Sequence, residues 1–281
     1  MHIRPLVAAD IPDVATTISE AMLDDEVWAF LAPNRLKYYS EYRAGFVRRT
    51  KQRFSTPGWV LYVAVTDSED ELEIGHLQGL GHGERHRQEG RGGGGEVVVG
   101  YCAWERLGNS PAAMRWKEKR KTLGWWLERR LLNVEGRYAD IFLPNRVVDH
   151  SSVQTYISAT ADNFPPDIFP DFWYLGMLAI HPSYQRRGIG KMLLQWGIEQ
   201  GKAENVPVGL EPSLRGAGLY KKLGFRDLGK VELLGKEWVA MMLWEPSGLS
   251  AEESWFQRAM EWEQKKAEEM KQKTTMTMKN L

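Results

Sequence analysis

The stretch LAIHPSYQRRGIGKMLLQWG, residues 178–197, passes from apolar, strand-like residues through an arginine pair and two glycines into a helix-like pattern. Overlapping its start, WYLGMLAI at Trp173 to Ile180 is short, apolar and bounded by turn formers, which predicts a buried central strand. Gly176 within it predicts a bulge or a close approach. His181 and Pro182 stop the strand, QRRGIG crosses over, and Leu193, Leu194, Trp196 and Ile198 continue from Lys191 as a helix. Such a junction aims unpaired backbone amides and the positive end of a helix dipole at one point, so it reads as an anion site. Gly188 and Gly190 let a ligand approach the main chain, and Arg186 and Arg187 add charge. The expected ligand carries phosphate, above all a pyrophosphate; the competing reading is an ordinary connection with solvated arginines. Two nucleotide motifs do not fit. A dinucleotide fingerprint needs a third glycine where Leu193 stands, and a Walker loop needs Ser or Thr where Met192 follows Lys191.

Toward the N-terminus, Asp10 precedes Ile11, Val14, Ile18 and Met22, which share one helical face, so a first amphipathic helix is predicted with Asp10 as its N-cap. Pro33 and Asn34 open a second helical segment carrying Tyr39, Tyr42, Phe46 and Val47. Strands are predicted at Trp59 to Val65 and Glu96 to Glu105, paired antiparallel. The segment between them, residues 67–95, is charged and Gly-rich, with too few apolar residues to offset the entropy of ordering it, and reads as a flexible loop. His82 and His86 in that loop have a zinc-like spacing but lie among glycines and charges; they read as solvated, and no metal is expected. Ser110 and Pro111 start a helix along which Trp116, Leu123, Leu127, Leu131 and Val134 recur on one face, which must pack against something. The prolines of FPPDIFPDF, residues 164–172, then force an extended or turning chain.

Near the C-terminus, Ser250 and Glu253 form a capping-box pattern before Trp255, Phe256, Met260 and Trp262, predicting a helix that docks on the domain or on a partner. After Glu263 the chain is mainly Lys, Glu, Gln and Thr and reads as a solvated or frayed end. Across all 281 residues, 37 basic and 37 acidic side chains cancel. No overall field therefore gathers nucleic acid or an anionic membrane, and neither partner is expected. The opening residues lack the apolar core of a secretory signal and no apolar run approaches the roughly 20 residues of a membrane helix, so the expected compartment is the cytoplasm. Cys102 stands alone inside the apolar run VVVGYCAW, residues 97–104, and reads as a buried strand residue without chemistry.

HPSYQRRGIGKMLL, residues 181–194, resembles the coenzyme A pyrophosphate-binding motif of the GNAT superfamily of acyl-CoA N-acyltransferases, whose core pattern is Gln/Arg-x-x-Gly-x-Gly/Ala. VPVGLEPSLRGAGLYKKLGF, residues 206–225, resembles the superfamily's fifth strand and following helix, including its Leu-Tyr-x-x-Leu-Gly-Phe signature. The resemblance covers most of residues 1–245 and is close over 171–226. It implies an α/β fold of the α+β kind: a mixed, mainly antiparallel central sheet flanked by helices and splayed between the fourth and fifth strands. The expected organisation is an acyltransferase domain at 1–248, with the flexible loop 67–95 and a helical insertion 107–170, followed by a C-terminal helix and polar tail at 249–281.

The resemblance also implies roles. Backbone groups of Leu178, Ala179 and Ile180 match those that hold the pantetheine arm, and Gln185, Arg186, Arg187, Gly188, Ile189, Gly190 and Lys191 match the pyrophosphate loop. Tyr220 matches the tyrosine that often protonates the departing thiolate, and also borders the cofactor. Ser213 stands where the family frequently has an asparagine that contacts the cofactor, and its shorter side chain reaches less far. A strand amide such as that of Leu178 is the candidate donor to the tetrahedral oxyanion. The fifth-strand position where members carry a basic glutamate is Val208; Glu211, at the strand's end, is the candidate base, with Asp171 as another, and neither lies at a motif position.

The implied reaction is direct transfer of acetyl from acetyl-CoA to the amine of a small molecule, with coenzyme A as product. Alternatives are O-acetylation of a hydroxyl metabolite and non-catalytic coenzyme A binding. Trp116, Trp125, Trp126, Phe164 and Phe169 in the insertion either wall an acceptor pocket suited to a planar or apolar molecule or fill the core of an added layer.

Overall fold

The computed structural model describes residues 1–66, 96–118, 146–233 and 235–279, together with Gly124, Leu127, residues 129–132 and Val134. The expected loop 67–95, with His82 and His86, and the residues Leu123, Trp125 and Trp126 lie outside the described residues.

Seven strands form one sheet in the order β1-β2-β3-β4-β5-β7-β6. They are β1 (His2–Pro5), β2 (Trp59–Val65), β3 (Val98–Leu107), β4 (Phe172–Ile180), β5 (Val208–Leu210), β6 (Arg226–Leu233) and β7 (Lys236–Trp244). Every pairing is antiparallel except β4 with β5. That exception follows from the crossover: β4 and β5 are joined by a helix, α6 (Ile189–Glu204), which returns the chain to the same end of the sheet. The predicted bulge is present. The β3–β4 register shifts between Ala103 and Trp104, leaving Gly176 as the extra residue, and a Cβ there would lie 2.7 Å from the Trp59 ring.

Strand alternation sorts the core into layers. Leu61, Val63, Tyr101, Ala103 and Ala179 face α1 (Ile11–Ala21) and α3 (Tyr39–Ser55), burying Ile11, Val14, Ile18, Tyr42 and Phe46. On the opposite face Cys102, Trp104, Trp173 and Val208 meet Ile189, Leu193, Leu194 and Ile198 of α6. Gly197 faces the Trp104 indole and Gly201 faces Val208, positions where any side chain would hold the helix off the sheet. Cys102 is fully buried and its thiol is pushed up to about 12 by burial, which leaves it inert as read.

Several sequence expectations shift. Asp10 does not cap α1; its carboxylate turns back to accept from the Val7 amide at 2.9 Å and to pair with Arg4 at 2.8 Å. The second helical segment starts at Tyr39 rather than at Pro33, and the short α2 (Glu26–Leu31), capped by Asp25, precedes it. The helix begun by Ser110 is described as α4 (Pro111–Glu118), and the helical residues Leu127, Leu131 and Val134 further on are exposed, so their shared face meets no core among the described residues. A further helix, α5 (His150–Thr160), is capped by Asp149. After α7 (Ala217–Lys222) and the β6–β7 hairpin, α8 runs over Trp255–Lys279. Its start lies beyond the capping box at Ser250, because Ser254 Oγ accepts from Gln257 N at 3.1 Å and Glu245 accepts from Phe256 N at 3.1 Å. It also continues well past Glu263, so the stretch read as a solvated or frayed end is helical as far as Lys279.

Candidate active site

β4 leads through a 3-10 turn at Pro182–Tyr184 into α6. Arg186 and Gly188 both have left-handed φ, 64° and 82°, which gathers successive amides into a concave nest. The first backbone bond of α6 runs from Met192 N to Gly188 O at 3.1 Å, so the amides of Ile189, Gly190 and Lys191 have no partner within the helix. Gln185, Arg186, Arg187, Gly188 and Lys191 are all exposed around this nest. Gly190 is required for packing as well: a Cβ there would lie 2.9 Å from Leu219 of α7. Free amides, a helix dipole, exposed cations and open access fit a diphosphate.

A gap opens beside the nest. β5 pairs with β4 only at Trp173, Tyr174 and Leu175, while β4 runs on to Ile180. His181 N donates to Val99 O at 3.0 Å, and antiparallel alternation therefore commits the amides of Ala179 and Met177 to β3. The amides of Leu178 and Ile180 face the other way, into the gap. Consistent with this, the side-chain amide of Gln185 donates to Ile180 O at 3.1 Å. Of the three strand residues singled out from sequence, Leu178 and Ile180 present backbone groups to the gap and Ala179 presents them to β3.

At the other end of the gap stands Glu211, directly after β5. It accepts from Asn163 Nδ2 at 2.9 Å, from Tyr156 OH at 3.2 Å and from Tyr174 OH at 3.4 Å. Burial raises its carboxyl above the usual glutamate range, and the three hydrogen bonds act against that rise. Glu211 lines a small cleft, open to solvent, with Val27 of α2, Tyr156 and Thr160 of α5, and Trp238 and Ala240 of β7. α5 therefore walls this cleft. Of the aromatic residues singled out for such a wall, the described ones go elsewhere: Phe164 and Phe169 pack with Phe172 and Met241 in a core cluster, while Trp116 packs edge-on to Trp173 and donates to Glu204 at 2.7 Å.

Tyr220 is buried on α7, edge-on to Phe225 at 5.9 Å between ring centroids. Desolvation raises its hydroxyl pKa, with a smaller contribution from Asp25, so the phenol keeps its proton at neutral pH. Ser213 Oγ accepts from Gly216 N at 3.2 Å and shapes the turn into α7. Asp171 is tied into another network: it accepts from Ser110 Oγ at 2.6 Å and pairs at 3.3 Å with Arg106, far into the core. Of the two candidate bases, Glu211 alone lines the cleft. Tyr156, Asn163 and Tyr174 escaped the sequence reading because no motif marks them. Only Tyr174 left a signal, since alternation along β4 turns it to the face opposite Trp173 and Leu175.

Residues 114–225 match the model of the acetyltransferase (GNAT) family. Over 54 residues the chain is 39% identical to an acetyltransferase of Stachybotrys chartarum, a span of 19% of this chain and 24% of that protein. Over 46 residues it is 44% identical to a probable acyltransferase of Ajellomyces capsulatus, covering 16% of this chain and 34% of that one. The chain thus spans about a quarter to a third of the length of these curated relatives. Among solved structures it is similar to one described as histone acetyltransferase HPA2 and related acetyltransferase from Corynebacterium glutamicum, at 20% identity and a TM-score of 0.49, covering 89% of this chain and 97% of that one. With the nest, the strand that precedes it and the helix that follows all inside the matched residues, the chain carries an acetyltransferase domain of the GNAT superfamily.

Proposed function

We propose that this chain transfers an acetyl group from acetyl-CoA to an amine by direct attack, releasing coenzyme A. The observation that carries this reading is the gap between β4 and β5, which joins an amide-rich nest at one end to a hydrogen-bonded glutamate at the other. In this reading the nest, Arg186 and Arg187 hold the diphosphate, and the gap-facing backbone of Leu178 and Ile180 holds the pantetheine arm. The thioester supplies an already activated acyl group, so the chain need only orient the acceptor and move protons. Glu211 takes the proton from the amine, its basicity raised by burial. The Leu178 amide donates to the carbonyl oxygen as it gains charge. Tyr220, held protonated, donates to the departing sulfur. The cleft wall of Val27, Ala159, Pro212 and Val239 suits a small organic amine rather than a highly charged polymer. We further take residues 1–248 as the catalytic unit, with α8 appended to it and docked on the hairpin through Ala259.

Incubating the protein with acetyl-CoA and an amine panel tests the reading: thiol release that depends on the amine is the expected result. Tight coenzyme A binding with no such release from any amine or hydroxyl acceptor points to a non-catalytic binder instead. Tyr220→Phe is expected to lower kcat by about ten- to a thousandfold with little change in coenzyme A affinity. Unchanged kcat in that variant removes the proton-donor role.

A further inference from the structure

β4 changes phase halfway along. Trp173 N donates to Pro207 O at 3.0 Å, toward β5, whereas His181 N donates to Val99 O at 3.0 Å, toward β3. Both residues are odd-numbered, and an unbroken strand would send both amides the same way. The side chains record the same inversion. Trp173 and Leu175 join the layer under α6, yet Ala179 is buried in the opposite layer with Met177 packed against it, and Leu178 and Ile180 take the α6 side. Gly176, the extra residue of the bulge, lies between the two halves. With regular alternation from Trp173, the amides of Leu178 and Ile180 would be spent on β3; the bulge turns them into the gap.

The β3 register skips Gly176 and the β5 register stops at Leu175, so both ladders are interrupted at this residue. A side chain from another element takes its carbonyl instead. Arg53, in the last turn of α3, donates to Gly176 O from Nη2 at 3.1 Å. Its guanidinium lies 4.4 Å over the Trp59 ring. That ring fills the space a side chain at Gly176 would take, 2.7 Å from an added Cβ, and Arg53 Nη2 comes within 3.3 Å of the same point. Trp59 opens β2 in register with Glu105 of β3, so the sheet itself fixes the ring on which the guanidinium rests. α3, β2 and β4 are thus fastened at the one residue where β4 inverts.

We propose that Arg53 is a positioning residue for the transfer reaction: by holding the Gly176 carbonyl it fixes the bulge, and with it the direction of the Leu178 amide that meets the developing oxyanion. The proposal rests on the acetyl-transfer reading and adds to it a group that acts through the strand. The carbonyl belongs to the planar Gly176–Met177 peptide, and the next peptide along carries the Leu178 amide, so a turn of the first re-aims the second. Gly176 has no side chain to resist such a turn. An oxyanion donor is effective only when it is aimed before the charge develops.

The test compares Arg53→Met, which keeps an apolar stem along Trp59 and loses the donor, with Arg53→Lys, whose ammonium can still reach the carbonyl. Met177 is the only methionine in the chain that follows a glycine. Protein labelled with carbon-13 at glycine carbonyls and nitrogen-15 at methionine amides therefore gives one correlated NMR signal, from the Gly176–Met177 peptide. Arg53→Met is expected to shift that signal, as loss of a hydrogen bond to the carbonyl requires, and Arg53→Lys to leave it near its wild-type position. In thiol-release kinetics Arg53→Met should lower kcat by about 10- to 100-fold, up to the cost of misplacing a catalytic group by about 1 Å. Its KM for acetyl-CoA and its calorimetric affinity for coenzyme A should stay close to wild type, because the nest is untouched, and Arg53→Lys should recover most of kcat. Should Arg53→Met not fold, Arg53→Gln, too short for the carbonyl but polar at this half-buried site, is read in the same way. An unshifted signal in the folded variant, an unchanged kcat, or a loss of coenzyme A affinity that matches the loss of kcat overturns the proposal. A shifted signal in Arg53→Met, with no amine-dependent thiol release from wild type, keeps the hold on the bulge and refutes the transfer reading.

Discussion

Glu211→Gln is expected to lower kcat at neutral pH by about 10²- to 10⁴-fold, the usual contribution of a positioned general base. The substitution keeps the size: with the amide oxygen accepting from Asn163, the amide NH2 can donate to the Tyr156 and Tyr174 hydroxyls, which turn from donors to acceptors, and the cleft keeps its shape. The pH profile carries the sign. A base works in its deprotonated form, and burial raises the Glu211 carboxyl above the ordinary glutamate value. Wild-type activity is therefore lost as pH falls through that raised pKa, at a pH where an exposed glutamate would still be ionised. The variant's residual activity should lack that limb. If Glu211→Gln retained both the rate and the limb, Glu211 would be a structural acceptor for its three donors and another group would remove the proton.

Arg106→Ala is expected to destabilise the fold by about 3–5 kcal/mol, because it leaves buried charge without its partner. The Arg106 side chain is fully buried on β3, where its Nε donates to Glu204 Oε2 at 2.8 Å and its guanidinium pairs with Asp171 at 3.3 Å. Both partners serve further contacts: Glu204 accepts the Trp116 indole and Asp171 accepts the Ser110 hydroxyl that caps α4 through Ala113 N. One guanidinium thus fastens the end of α6, the start of the insertion and the entry to β4. For a chain of this length the loss corresponds to a fall in Tm of about 10 °C. Removing the facing charge too, in Arg106→Met with Glu204→Leu, should recover part of it. A change in Arg106→Ala below about 1 kcal/mol would place this group in water instead of the core.

How much of this could be read from sequence depended on where the decisive interaction lay. The β4–turn–α6 junction was legible because each piece is local: an apolar run, a proline stop, glycines at Gly188 and Gly190, then a periodic helix. Helix starts were less so. Asp10 has the chemistry of a cap, but Arg4 lies close enough to take its carboxylate, and a pairing across strand and loop leaves no trace in periodicity. The six-residue α2 is too short for its spacing to stand out. In the insertion, Trp116, Phe164 and Phe169 were visible as aromatic, yet composition does not say which face of the sheet each one joins. The C-terminal stretch, rich in Lys, Glu and Gln, reads as polar and hence frayed; those same residues favour helix and need no core to hold one. Glu211 was reachable as the carboxylate nearest the end of β5. Its partners were not, because Tyr156 and Asn163 lie on and just after α5 and Tyr174 lies on β4, and no motif links either segment to the end of β5.

Titration of coenzyme A into the protein by calorimetry addresses the central claim, that the amides and guanidinium groups after β4 clasp a diphosphate. Wild type is expected to bind, and Gly190→Val, which thrusts a side chain toward Leu219 at the mouth of the nest, to bind at least about tenfold more weakly. An absence of heat in wild type, or an affinity untouched by that substitution, would contradict it.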